Sequence, residues 1–320
     1  MNKRIKIAIT LTVIICITVF YPFHSAQPIK YIERATGITK TEKVPGEFWL
    51  SWLYNNPAGK LSLNALVKRK ALSIWYGKQM DLPKSAEKIQ SFVNNYDIDL
   101  SIAEKQEFDS FNDFFYRKLK PNARPINNDS SILISPADGK ILAYENIDNQ
   151  DFIIKSHRFN LNDYLQNSKL SKKFAGGSLL IIRLCPTDYH RYHFPLSGTV
   201  EKSTNIDGCY YSVSPIAIKN KIELFYMNKR SITEFYSPLF GDIIISEVGA
   251  TLVGSIIQTY NTAKVKKGDE KGYFKFGGST VVLIFEKGKL KIDTDLIDNT
   301  NKGLETEVKM GEQIGALNPF

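Results

Sequence analysis

Ser279 follows two glycines in Phe276-Gly277-Gly278-Ser279-Thr280 and precedes the apolar run Val281-Val282-Leu283-Ile284-Phe285. A backbone without Cβ atoms takes sharp or strained dihedrals that other residues resist. A hydroxyl held behind such a hinge is well placed for chemistry on its own backbone. Two other groups could serve it: Asp138 in Ser135-Pro136-Ala137-Asp138-Gly139, and His190 and His193 in Asp188-Tyr189-His190-Arg191-Tyr192-His193. A serine hydroxyl is a poor nucleophile until a base takes its proton, and an imidazole does this best when a carboxylate holds its tautomer. Asp138, His193 and Ser279 have the residue types of such a relay. Each also has an ordinary structural account, as turn stabiliser, satisfied core histidine and strand cap.

The elements that must position these residues are mostly strands. Residues 281–285 read as a buried strand ended by the turn Glu286-Lys287-Gly288. Ser178–Leu184 reads as a second, with residues 185–198 leaving it as the loop that carries both histidines. Residues 132–134 lead into the turn that carries Asp138, and residues 241–249 and 250–257 are further strands. Two turns echo each other: Lys266-Lys267-Gly268-Asp269-Glu270-Lys271-Gly272 and Lys309-Met310-Gly311-Glu312-Gln313-Ile314-Gly315. They suggest two related hairpins, as in barrel-sandwich domains of the biotinyl-carrier kind. The expected fold is α+β, with a β-rich catalytic domain over residues 126–320.

Upstream the texture is helical. Residues 27–125 place Phe48, Trp49, Trp52, Leu53, Tyr54, Leu66, Ile74 and Trp75 among lysines. Such spacing suits helices at a membrane surface, or a subdomain that turns its apolar face inward. Ser110-Phe111-Asn112-Asp113 resembles a capping box and opens a short helix that Pro121 ends. Residues 7–23 are uncharged and follow Lys3, Arg4 and Lys6. The segment 1–26 is thus a short membrane anchor or a cleaved signal segment, the anchor being favoured because His24 suits a cleavage site poorly.

A net charge of +9 over 320 residues suggests an acidic partner surface. No zinc-finger spacing, RNP-like aromatic motif or long basic arm is present, so no nucleic-acid partner is expected. Three cysteines (Cys16, Cys185, Cys209) and four scattered histidines suggest neither a disulfide framework nor a metal site.

The motif set resembles the phosphatidylserine decarboxylase family in its Gly-Gly-Ser-Thr branch. The resemblance runs from about Trp52 to the C-terminus. It includes Phe111-Asn112-Asp113-Phe114-Phe115-Tyr116-Arg117-Lys118-Leu119-Lys120-Pro121-Asn122-Ala123-Arg124-Pro125, the stretches 135–140, 183–198 and 249–254, and residues 272–280. Pro186-Thr187 beside Asp188 departs from the family pattern without touching an expected catalytic position.

The resemblance implies that Asp138 and His193 activate Ser279 to attack the carbonyl of Gly278. The chain would then divide into a β chain, residues 1–278, and an α chain, residues 279–320, which stay associated. Ser279 would become a covalent pyruvoyl group, the electron sink that forms a Schiff base with the headgroup amine, with no pyridoxal phosphate and no metal. The substrate is phosphatidylserine in an anionic membrane, the product phosphatidylethanolamine, the location membrane-associated, and a homo-oligomer is compatible. His190 or His193 would protonate the decarboxylated carbon. Arg183 and Arg191 are candidates for the lipid phosphate on charge alone, with structural ion pairs as the alternative. Two rival readings use the same residues: a membrane-anchored Ser-His-Asp hydrolase that never cleaves itself, and a membrane-tethered binding module.

Overall fold

A computed structural model describes residues 3–20, 27–149, 160–218, 224–250, 255–277 and 279–319. The first half contributes strands β1 (Lys30–Glu33), β2 (Ile38–Thr41), β3 (Ile132–Ile134), β4 (Gly139–Tyr144), β5 (Ser178–Leu184), β6 (Arg191–His193) and β7 (Gly198–Ile206). There follow β8 (Arg230–Ser237), β9 (Gly241–Gly249), β10 (Ile256–Gln258), β11 (Lys264–Val265) and β12 (Glu270–Phe274). The last are β13 (Ser279–Phe285), β14 (Leu290–Ile292), β15 (Glu305–Val308) and β16 (Gln313–Leu317). Among the described residues they form a ten-stranded sheet, β11-β7-β8-β9-β13-β5-β4-β15-β1-β2, and two three-stranded sheets, β10-β12-β6 and β14-β16-β3. The α+β class is as expected.

Strand β13 shows why its sequence is continuously apolar. Val281, Leu283 and Phe285 face a core shared with Tyr192 and Phe274 of one small sheet and Leu133, Ile292 and Ile314 of the other. Val282 and Ile284 face the opposite core, which Tyr164, Leu165 and Phe174 cover. A strand covered on both faces has no polar side to alternate with. Burying these five side chains contributes on the order of 10 kcal/mol before chain entropy is counted.

The two echoing turns are corners rather than hairpins. Strand β11 pairs with β7 in the large sheet, whereas β12 pairs with β6 in a small one. Likewise β15 pairs with β4 and β1, and β16 with β3. Each turn therefore carries the chain from one layer of the sandwich to the other. Gly268 and Gly311 hold φ of +85° and +89° at these corners, a region that favours glycine. The large sheet ends at β11 and β2 without closing, so the expected barrel-like arrangement is an open sandwich.

The N-terminal stretch differs from expectation in three ways. Residues 30–33 and 38–41 are strands, and β1 joins β15 in parallel next to the end of the large sheet, with Tyr31 opposite Glu305. Lys3–Phe20 is an 18-residue helix, but its first turn carries Lys3, Arg4 and Lys6. Among the described residues no helix is long and apolar enough to cross a membrane. The expected spanning anchor is therefore not found, and residues 21–26 lie outside the described ones. Finally, the inward-packing reading of residues 47–80 holds for only part of the stretch. Tyr54, Leu63 and Met80 are buried, while Phe48, Trp49, Leu61 and Trp75 are exposed.

The short helix Phe111–Phe115 begins as the capping pattern requires, with Ser110 Oγ accepting from the Asp113 N–H at 3.2 Å. It ends at Tyr116, before Pro121, and its Phe111, Phe114 and Phe115 pack with Met80, Phe92 and Phe276.

Candidate active site

Ser279 is the first residue of β13, between Leu184 of β5 and Gly249 of β9. It is fully buried, and neither its Oγ nor Thr280 Oγ1 has a hydrogen-bond partner. Leaving a buried hydroxyl unpaired costs free energy, so this strand end is built at a thermodynamic disadvantage. Gly277 holds φ of 137°, where side-chain-bearing residues are strained. Gly278 lies outside the described residues.

The approach to the glycines is tied down. The Phe276 N–H donates to Asn112 Oδ1 at 2.7 Å, and Asn112 Nδ2 donates to Asp81 and to the Gly77 carbonyl. Lys275 bonds both oxygens of Asp81. The Phe276 ring packs on Phe111 and Phe115 at 5.0 Å each. The segment Gly277-Gly278 is thus spanned between a tethered phenylalanine and a doubly paired strand. Asn112 was not singled out from sequence, although it lies inside the motif that starts at Phe111.

Asp138 sits in the buried turn between β3 and β4. It accepts from Arg124 Nε at 2.8 Å, from Arg124 Nη2, and from the Met310 N–H at 2.9 Å. Arg124, which the sequence showed only as part of the motif from Phe111 to Pro125, is its charge partner. His193 ends β6; its Nδ1–H donates to the Gly268 carbonyl at 3.0 Å, and Nε2 accepts from Tyr189 Oη at 3.1 Å. Burial lowers its pKa; the hydrogen bond to Gly268 and the Glu270 charge oppose that shift, and the Asp138 charge adds to them. Asp138 and His193 are therefore electrostatic neighbours, but each one's hydrogen bonds go elsewhere, and none joins either of them to Ser279.

His190 is fully buried and stacked on Phe115 with ring centroids 3.7 Å apart. Its Nδ1–H donates to the Asp188 carbonyl at 2.9 Å, leaving Nε2 as a buried lone pair without a partner. Burial pushes its pKa down to about 3, so at neutral pH it is an uncharged base. It can give a proton only after taking one.

The two arginines considered for a phosphate are already engaged. Arg183 Nε donates to Glu305 at 2.9 Å and Nη1 to Glu42 at 3.2 Å, and Nη2 bridges both carboxylates. Arg191 Nη1 contacts both oxygens of Glu270 at 2.8 Å, and its Nε donates to the Tyr116 carbonyl. A phosphate at either site would have to displace a carboxylate. Beside Arg183, burial works to raise the pKa of Asp188, but Lys140 at 3.0 Å and the Cys185 N–H outweigh it and hold it at about 2. Among the described residues no group of three or more His, Cys, Asp or Glu side chains could hold a metal ion.

Known sequences place this geometry in a family. A profile described as phosphatidylserine decarboxylase matches residues 111–316, the stretch that contains every residue just described except Glu42, Gly77 and Asp81. The chain belongs to the phosphatidylserine decarboxylase family. A curated phosphatidylserine decarboxylase proenzyme from Fusobacterium nucleatum is 51% identical over 293 residues, covering 90% of this chain and 98% of its own. Proenzymes of the same name from Clostridium perfringens and Desulfitobacterium hafniense are 49% and 50% identical, each over 90% of this chain. Membership in the decarboxylase family makes the chain an enzyme.

Proposed function

We propose that the chain is a proenzyme that cuts itself between Gly278 and Ser279 and then decarboxylates phosphatidylserine to phosphatidylethanolamine. The observation that carries this reading is the Ser279 hydroxyl, buried and unpartnered, next to a glycine at φ 137°. In the first step the Ser279 Oγ–H bond gives its proton to a base and Oγ adds to the Gly278 carbonyl. The base passes that proton to the nitrogen of residue 279 as the Gly278–Ser279 C–N bond breaks, so an ester and a free amine take the place of the peptide. Loss of a Cα proton and of the Gly278 carboxylate leaves a dehydroalanine. Its tautomer takes up one water and releases ammonia, which leaves a pyruvoyl group at residue 279.

His193 is the base we assign to that first proton, and Asp138 keeps the pair poised. Its Nε2 is the unprotonated nitrogen, held by a hydroxyl that can turn away. Asp138 favours the imidazolium that forms, through its charge. Arg124 and the Met310 N–H fix the carboxylate, so it orients without itself taking the proton.

Residue 279 suits a pyruvoyl group. The position is buried, its hydroxyl lacks any partner that the ketone would forfeit, and the strand pairing on both sides fixes it against the substrate. The group supplies the electron sink that lets the substrate's carboxylate depart as carbon dioxide. His190, neutral with a free Nε2, is the group we assign to receive a proton from the substrate ammonium and return one to the α-carbon. The two pieces would stay together: residues 279–320 contribute β13 to the centre of the large sheet, β15 to a position beside β4, and β14 and β16 to a small sheet.

Membrane association is part of the proposal. Lys3–Phe20 and the exposed Phe48, Trp49, Leu61 and Trp75 would enter the interface, with lysines meeting the anionic headgroups. The domain division at residues 26 and 125 is kept as a functional one, with β1 and β2 reaching across it. The test is Ser279→Ala, which should purify as one full-length chain without decarboxylase activity. Cleavage or turnover in that variant would refute the assignment.

A further inference from the structure

The buried arginines are not alike. Arg124, Arg183 and Arg191 each face a carboxylate, and Arg230 donates to the carbonyls of Tyr164, Tyr226, Asn228 and Asp163. Arg117 has neither arrangement. It is 6% exposed, its Nε is buried without a partner, and Nη1 makes one long contact of 3.4 Å to the Phe114 carbonyl. Its guanidinium carbon also lies 5.0 Å from the centre of the Phe114 ring. Among the described residues no carboxylate pairs with it: Arg124 holds Asp138 and Lys140 holds Asp188. A buried cation left in this state destabilises the fold, and a site that tolerates it is short of an anion.

Arg117 is tied to the neighbourhood of His190 and Phe276. It follows Phe115, which stacks on His190 and touches Phe276, and its charge acts directly on His190. Burial lowers its own pKa, and Asp138 and Asp188 restore only part of the balance from a distance. Two buried polar atoms without partners, Arg117 Nε and His190 Nε2, thus belong to one neighbourhood.

We propose that Arg117 is the cation that binds the phosphodiester of the substrate headgroup, an inference that rests on the decarboxylase reading above. The substrate offers two anions, and chemistry chooses between them. A guanidinium on the departing carboxylate would stabilise the ground state against loss of neutral carbon dioxide and slow the reaction. The phosphodiester keeps its single charge from substrate to product, so a cation there binds without opposing the chemistry. Arg117 is a substrate-binding residue whose contribution appears in KM and in product inhibition, not in kcat.

The test uses the processed enzyme, short-chain phosphatidylserine as substrate and two inhibitors. Dihexanoylphosphatidylethanolamine keeps the phosphodiester and lacks the carboxylate; O-octanoylserine keeps carboxylate and amine and lacks the phosphate. Arg117→Met should raise KM and the phosphatidylethanolamine inhibition constant by the same factor, about ten- to hundredfold. Its kcat and its inhibition by O-octanoylserine should be unchanged, and Arg117→Lys should recover part of the loss. Without ligand, Arg117→Met should melt above wild type, since it removes an unpaired buried charge. Phosphatidylethanolamine should raise the melting temperature of wild type and not of the variant.

Unchanged KM and inhibition constants would overturn the proposal, as would selective loss of O-octanoylserine inhibition. A variant that melts lower and no longer self-cleaves would make Arg117 a structural cation and overturn it too. If wild type releases no carbon dioxide, the decarboxylase reading fails by itself, and the melting measurements still decide Arg117.

Discussion

The two layer-crossing corners of the sandwich are built on one plan and used differently. In one half β3 runs through Ser135-Pro136-Ala137-Asp138-Gly139 into β4, against the corner at residues 309–313; in the other β6 runs through Phe194-Pro195-Leu196-Ser197-Gly198 into β7, against residues 266–270. The backbone bonds match one for one. The Ser135 N–H donates to Glu312 O and the Gly311 N–H to Ser135 O, just as the Phe194 N–H donates to Asp269 O and the Gly268 N–H to Phe194 O. The halves also cross each other, His193 N–H donating to Pro136 O and Ile134 N–H to Pro195 O.

At the equivalent turn position, Asp138 accepts from the Met310 N–H and Ser197 Oγ from the Lys267 N–H, both at 2.9 Å. At the equivalent strand end, His193 in one half corresponds to Ile134 in the other. The scaffold therefore asks only for an oxygen at the turn and any side chain at the strand end. A buried carboxylate and an imidazole exceed that need, and each half supplies one of them. The crossing brings them into each other's field.

The largest effect should come from separating charge from cap. Asp138→Asn keeps an oxygen for the Met310 N–H and removes the charge, so self-cleavage should slow by about 10³–10⁴-fold, read as the rate at which full-length chain disappears by intact mass. A normally processing Asp138→Asn would reduce Asp138 to what Ser197 is. Next, Arg124→Met leaves the Asp138 carboxylate buried without its partner and should cost about 3–5 kcal/mol in urea unfolding. Loss of less than about 1 kcal/mol would mean the pair is effectively solvated.

A pH profile sharpens the contrast between imidazole and aliphatic strand ends. His190 and His193 are buried uncharged, with pKa values below the unfolded value near 6.5. Between about pH 5 and 6.5 the unfolded chain binds more protons, so stability should fall as pH falls, His190 alone removing up to about 1.4 kcal/mol per pH unit. His190→Phe should remove its share of that slope; an unchanged slope would contradict the burial argument. The smallest effect is at the counterpart turn: Ser197→Ala should cost about 1 kcal/mol and leave processing intact.

Much of this was legible in the sequence, and the rest was not for definite reasons. The unbroken apolar run of β13 identified a strand buried on both faces, and Ser110 marked its helix start, because both signals are local. The echoing turns were visible as well, but nothing local says that the strands on either side go to different sheets. Tyr31 and Ile32 gave no sign of pairing with residues 305–306, since that contact spans nearly the whole chain. Arg183 and Arg191 look like phosphate ligands until Glu42, Glu305 and Glu270 are seen beside them. The orphaned state of Arg117 is the opposite case: it appears only after every other buried charge has been matched.

The central claim is that Ser279 does not survive as serine. The direct measurement is the intact mass of the protein purified from cells, before and after a carbonyl-specific hydrazide. The account predicts two polypeptides, residues 1–278 and 279–320, with the smaller one blocked at its N-terminus and carrying one hydrazone. A single polypeptide of 320 residues that takes no label and still decarboxylates phosphatidylserine would contradict it.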